Sequence, residues 1–169
     1  MNYNQSTRQR LADMILGMKV KTGILASATY LVSAKQTELF TVKGAILVMQ
    51  LYLEIITDCS AHAAQVVFNA TFSTPSILAA PMGTKCAALT SLARGGRVTW
   101  MGGALATAAV ITITPGITLT CVDPQIIGGV DFVGTIGTLG SDASLSAGTF
   151  IAVLRYVPMY PDSYAEALL

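Results

Sequence analysis

Residues 37–56, TELFTVKGAILVMQLYLEII, decide how the chain is read. The stretch is apolar enough to suggest a membrane, yet Glu38, Lys43, Gln50 and Glu54 interrupt it. A strand explains the interruptions, because successive side chains in a strand point to opposite faces. After Gly44, Ile46, Val48, Gln50, Tyr52 and Glu54 fall on one side and Leu47, Met49, Leu51, Leu53 and Ile55 on the other. One side is wholly apolar and the other mixed. The expectation is one long strand, with its odd-numbered face in a core and its even-numbered face against a partly polar surface such as a neighbouring subunit.

The longest charge-free run, MGGALATAAVITITPGITLTCV at 101–122, yields to the same reasoning. It reaches the roughly 20 residues a spanning helix needs. However, VITIT alternates apolar with β-branched polar residues, Pro115-Gly116 is a turn signal, and ITLT resumes the alternation. Two strands joined by a turn fit better than a transmembrane helix, so no membrane partner is expected.

Composition narrows the class further. Of 169 residues, 53% are apolar and only 11% charged, against roughly 25% charged in ordinary globular chains. Three kinds of protein afford so few solvating groups: a membrane protein, one that hides surface in an assembly, and a β-sheet wall rich in Gly, Ala and Thr. A net charge of +1 supplies no field for nucleic acid. Arg8, Arg10, Asp13, Lys19 and Lys21 break every apolar run near the N-terminus, so no signal peptide is expected. Cys59, Cys86 and Cys121 are odd in number and widely spaced. They read as buried free thiols of a chain that folds in a reducing cytoplasm.

Along the chain, STRQRLADMILGM at 6–18 gives a helix signal. Ser6 or Thr7 is placed to cap it, and Leu11, Met14, Ile15 and Met18 recur at helical spacing. Residues 1–36 therefore read as an arm, a short amphipathic helix followed by the link ILASATYLVSAKQ; the alternative is a helix packed on its own domain. Arg8, Arg10, Leu11, Met14, Ile15 and Met18 are the candidate partner-binding residues of the arm, since apolar helix stripes bind grooves. Residues 1–36 also hold Arg8, Arg10, Lys19, Lys21 and Lys35 against Asp13 alone, leaving five basic and eight acidic groups in the rest.

Residues 37–169 read as a β-domain. Strand patterns run through 64–72, 98–101 and TFIAVLRYVPMY, the last ended by Pro158 and Pro161. Residues 73–89 read as a loop with a short apolar element, 121–150 as loop-rich with Gly at turns, and PDSYAEALL as a tail with one helical turn. The fold class expected is all-β, a β-sandwich or jelly-roll-like barrel with a short N-terminal helical arm.

The search for chemistry finds no constellation. His62 follows Cys59 by three residues, which on a strand puts the two side chains on opposite faces. A zinc site needs about four ligands, and those two with Cys86 and Cys121 would have to converge from far apart. Asp123, Asp131 and Asp142 lie in turn-like surroundings. Asn69 begins the sequon NAT, which matters only in a secreted chain. Trp100 and Tyr156 read as core or interface anchors. No catalytic, cofactor or metal site is expected, and no enzyme.

Two segments nonetheless resemble a known group. TELFTVKGAILVMQLYLEIIT at 37–57 and VGTIGTLGSDASLSAGTFIAVLRYVPM at 133–159 resemble the opening and closing strands of small β-rich virion proteins of tailed phages. PMGTKCAALTSL and GGRVTWMGG sit where that group has a small-residue loop and a Gly-bounded strand. The resemblance spans about 37–159, departs at Leu53 where a small residue is expected, and leaves out the arm. It implies a structural protein of decoration or cement type. Such a protein would be made in the host cytoplasm and carried on the capsid exterior as a homotrimer at capsomer junctions, with the major capsid protein as partner. The alternative it implies is a tail, neck or fibre-base component. Alternating apolar runs predict a protein extractable without detergent whose circular dichroism is mostly β with a minor helical part; a helix-dominated spectrum would overturn the fold class.

Overall fold

A computed structural model describes residues 17–59, 65–74, 77–83, 86, 92–100, 110–112, 124–129, 131–141 and 147–169. Twelve strands and one helical turn make up the described chain. They run β1 (Met18–Lys21), β2 (Leu25–Ala26), α1 (Ser27–Tyr30), β3 (Gln36–Lys43), β4 (Ile46–Thr57), β5 (Gln65–Thr74), β6 (Ile77–Pro81), β7 (Arg97–Trp100), β8 (Val110–Thr112), β9 (Gln125–Ile127), β10 (Val133–Ser141), β11 (Thr149–Pro158) and β12 (Tyr164–Ala167).

The strands form two antiparallel sheets. The first runs β1-β11-β4-β7-β8, with β2 also on β11 and β9 on β4; the second runs β12-β3-β10-β5-β6. The order β1-β11-β4-β7 facing β3-β10-β5-β6 is that of an eight-strand jelly roll, and the chain changes sheets at β2–β3, β3–β4, β4–β5, β6–β7, β9–β10, β10–β11 and β11–β12. The all-β expectation holds in this specific form.

The opening stretch is not one strand. Gly44, with φ +69, turns the chain between the two sheets, and a Cβ there would collide with the Ser163 side chain. Beyond the turn, the expected single apolar face also fails. Ile46 and Val48 are buried at one end of β4, then Leu51, Leu53 and Ile55. The pairing explains the exchange: Tyr156 faces Val48 and Arg155 faces Gln50, so Met49 is an extra residue. Such a β-bulge moves everything after it to the opposite face. The inward set of β11, Phe150, Ala152, Leu154 and Tyr156, alternates without a break.

Four further expectations are corrected. The helical stripe does not reach Met18, which begins β1 and pairs with Tyr156; Arg8, Arg10, Leu11, Met14 and Ile15 lie outside the described residues. Residues 18–36 are built into the domain, since β1 and β2 both pair with β11 and Leu25, Ser27 and Leu31 are buried. The tail read as a helical turn is β12, paired with β3. The Gly-rich stretch read as loop contains β10, the middle strand of the second sheet, bonded to β3 and β5 along its length.

Gly137 shows why β10 tolerates glycine. A second bulge, at Leu39 of β3, brings the backbone so near that a Cβ on Gly137 would collide with the Thr37 carbonyl. Beside it, the Thr138 hydroxyl is fully buried and has no hydrogen-bond partner among the described residues. These neighbours predict substitutions of opposite sign. Gly137→Ala should destabilise by about 1–3 kcal/mol, the usual cost of overpacking. Thr138→Val, which removes an unpaired buried hydroxyl at constant shape, should leave the denaturation midpoint unchanged or raise it. A midpoint lowered by Thr138→Val would show that the hydroxyl is satisfied in solution.

Candidate interaction surface

Of the residues weighed for chemistry, Cys59, Cys86 and Asp131 fall among the described residues. Cys59 and Cys86 are free and buried, as read from the sequence, and lie far apart in it. The Cys59 thiol is 3.7 Å from the Ser27 hydroxyl, and Cys86 accepts from the Val66 amide at 3.1 Å. Burial pushes both thiols above their ordinary value, and the hydrogen bonds from Ser27 and Val66 oppose it. His62, Cys121, Asp123 and Asp142 lie outside the described residues. Among the described residues, no group of three or more His, Cys, Asp or Glu is placed to hold a metal ion, and no helix is long and apolar enough to cross a membrane. Asn69 of the sequon is buried in β5, so the folded chain does not present it as an acceptor.

Trp100 and Tyr156 prove to be anchors between the sheets. Trp100 of the first sheet donates from Nε1 to the Met82 carbonyl at 2.8 Å, just beyond β6 of the second. Tyr156 of β11 donates to the Ala165 carbonyl of β12 at 3.1 Å. One bridge sits on each flank of the sandwich.

On the outer side of the first sheet, Arg97 reaches Glu54 through Nε at 3.2 Å and Nη2 at 2.9 Å, and its guanidinium lies 4.8 Å from the centre of the Tyr52 ring. Burial raises the Tyr52 pKa, and the nearby Arg97 charge opposes the rise. Lys19 and Lys21 lie exposed on β1, with Lys19 directly opposite Arg155.

Among the described residues, eight of the nine exposed large apolar side chains fall into two groups, and Ile126 of β9 is the ninth. Ile24, Leu168 and Leu169 line the seam where β1 meets β12, closed by the Gly23 amide donating to Leu169. Met18, Val133, Met159, Tyr160 and Tyr164 gather at the end of the sandwich that carries the β3–β4 turn. Their neighbours fix them there: Lys43 pairs with both Val133 and Tyr164, and the Met159 amide donates to Ala45. The sequence reading missed four of these five. The available signal was YVPMYPDSY, in which prolines hold Met and Tyr in a loop where they have no core to enter.

The chain matches no family model, no curated protein and no solved structure.

The thiols give a pH prediction. A thiol raised in the folded state ionises first in the unfolded chain. Its contribution to stability is therefore full below the unfolded value, about 8.5, and is lost as pH rises above it. Denaturation midpoints should fall between about pH 7 and about pH 9.5, and the fall should be smaller in Cys86→Ala than in the wild type. An equal fall in both would assign the loss to other groups.

Proposed function

We propose that the protein is a structural component of a tailed-phage virion. In this reading it binds the capsid exterior as a decoration or cement protein, three copies together at capsomer junctions, with the major capsid protein as partner. Arg8, Arg10, Leu11, Met14 and Ile15 of the N-terminal arm contribute to anchoring, on the capsid or on an adjacent subunit.

The supporting observation is where the two resembling segments fall. Residues 37–57 become β3 and β4, and residues 133–159 become β10 and β11. β3 pairs with β10 in one sheet and β4 with β11 in the other. The segments that resemble phage virion proteins thus supply a central pair of each sheet, and jelly rolls of this order include viral capsid domains. Leu53, where the resemblance departs, is fully buried opposite Ala152 and Val98, so a small partner makes room for the larger side chain.

The test is co-sedimentation with phage capsids that lack this protein, at low and high salt. The full chain should pellet with the shells, and labelled protein should decorate heads in electron micrographs. Protein that stays in the supernatant, or label confined to tails or necks, would overturn the capsid reading.

A further inference from the structure

The edge where β1 meets β12 carries three chemically different strips side by side. β1 is an edge strand of the first sheet and β12 of the second, and the Gly23 amide joins the two sides by donating to the Leu169 carbonyl at 2.9 Å. Along this seam Ile24, Leu168 and Leu169 are 67%, 46% and 41% exposed. On the first-sheet flank Lys19 and Lys21 point outward, because their partners Arg155 and Val153 alternate with the inward set of β11. Arg155, directly opposite Lys19, adds a further positive charge to that flank. On the second-sheet flank Glu166 is exposed opposite Thr41, and Glu38 is exposed on β3 next to Leu39, whose carbonyl accepts from the Leu168 amide.

The seam is thus apolar between a basic and an acidic flank. Among the described residues, Arg97 and Glu54 form an ion pair, whereas Lys19, Lys21, Glu38 and Glu166 form none. A partner of a single charge would be repelled by one flank. A second copy of the chain, turned about an axis parallel to the seam, answers both: its acidic flank meets the basic flank, and apolar seam meets apolar seam. A ring of three is necessarily built from contacts between two different patches, as these are.

We infer that the β1–β12 edge is the surface through which copies of this chain join. Ile24, Leu168 and Leu169 pack round the axis, and Lys19 and Lys21 of one copy face Glu38 and Glu166 of the next. The copy number of three rests on the proposed function; the contact itself rests on the charges and apolar groups of the edge.

The experiment is sedimentation velocity of the full chain over a range of concentrations, with circular dichroism to show that each variant keeps the wild-type β signal. Wild type should sediment as a trimer. The double variants Lys19→Glu, Lys21→Glu and Glu38→Lys, Glu166→Lys should each raise the concentration for half-assembly by at least on the order of tenfold, the factor that about 1.4 kcal/mol of contact energy gives. The quadruple variant with all four changes has opposite charges across every contact again and should assemble as wild type does. Ile24→Asp changes a side chain outside the core and gathers carboxylates round the axis, so it should dissociate as the double variants do. Ile126→Asp, on β9 away from this edge, is the control and should leave the trimer intact. A dimer with the same charge dependence would keep the contact and refute the trimer. Wild type that stays monomeric, double variants that assemble as wild type does, or a folded quadruple variant that stays apart would overturn the inference. No capsid enters these measurements, so their failure leaves the place on a shell to the co-sedimentation test.

Discussion

The pairing of β4 with β11 determines which side chains become the inside of the molecule. β11 alternates strictly, with Phe150, Ala152, Leu154 and Tyr156 inward. β4 must match it with an unequal pattern, and the extra residue at Met49 makes the match. Without that bulge, either Ile46 and Val48 or Leu51, Leu53 and Ile55 would face outward. Each such side chain is worth about 1.5–3 kcal/mol when buried, so a slipped register would forfeit much of the 5–15 kcal/mol typical of a whole domain. A second irregularity near the far end, at Ile56, returns Thr57 to a place opposite Thr149, with their hydroxyls 2.9 Å apart. The register is thus pinned at both ends of the strand.

The two sheets are held at the flanks as well as through the core. Trp100 and Tyr156 each bury a ring and spend the polar tip on a carbonyl of the opposite sheet. The ring's polar atom needs a partner once buried, and here that partner fixes the spacing of β7 to the segment after β6, and of β11 to β12. The β1–β2 link adds a further tie. The Thr22 hydroxyl accepts from the Ala152 amide at 3.0 Å, and the Thr22 amide donates to the Ala152 carbonyl at 3.0 Å. These bonds explain why residues 18–36 belong with the sandwich although the sequence suggested a separate arm.

Strands made of long apolar and β-branched runs were legible from the sequence. β5, β7 and β11 lie within one or two residues of the runs that suggested them. What was not legible depends on partners distant in sequence. The Met49 bulge is invisible in β4 alone, because Leu47 and Met49 are as apolar as Leu51. β10 carries Gly134, Gly137 and Gly140, which lower strand propensity; the reason for Gly137 is the Thr37 carbonyl a hundred residues earlier in the chain. β12 is too short to declare itself, and β3 supplies its hydrogen bonds. Met18 fits a helical stripe by spacing, yet pairing with Tyr156 decides its conformation. The apolar end was missed for a related reason: Val133, Tyr160 and Tyr164 come together only when β3, β10 and β12 align.

The low charge of the chain has a structural counterpart in the second sheet. Its outer side carries Thr41, Thr135 and Thr71 in one row across β3, β10 and β5. The next outward position of β10 is Gly137, and Gln36 reaches across the strand to donate to the Thr71 hydroxyl at 2.6 Å. Hydroxyls and amides that bond one another within the sheet keep such a surface wettable without formal charge. Covering it with another protein then removes few ions from water, and ion desolvation is the cost that most often cancels the gain of contact. The charges on this face are few: Glu38 lies opposite Gly137, Glu166 continues the threonine row onto β12, and Lys43 stands at the end of β3. The proposed place in a virion shell would use this lightly charged face of the second sheet directly.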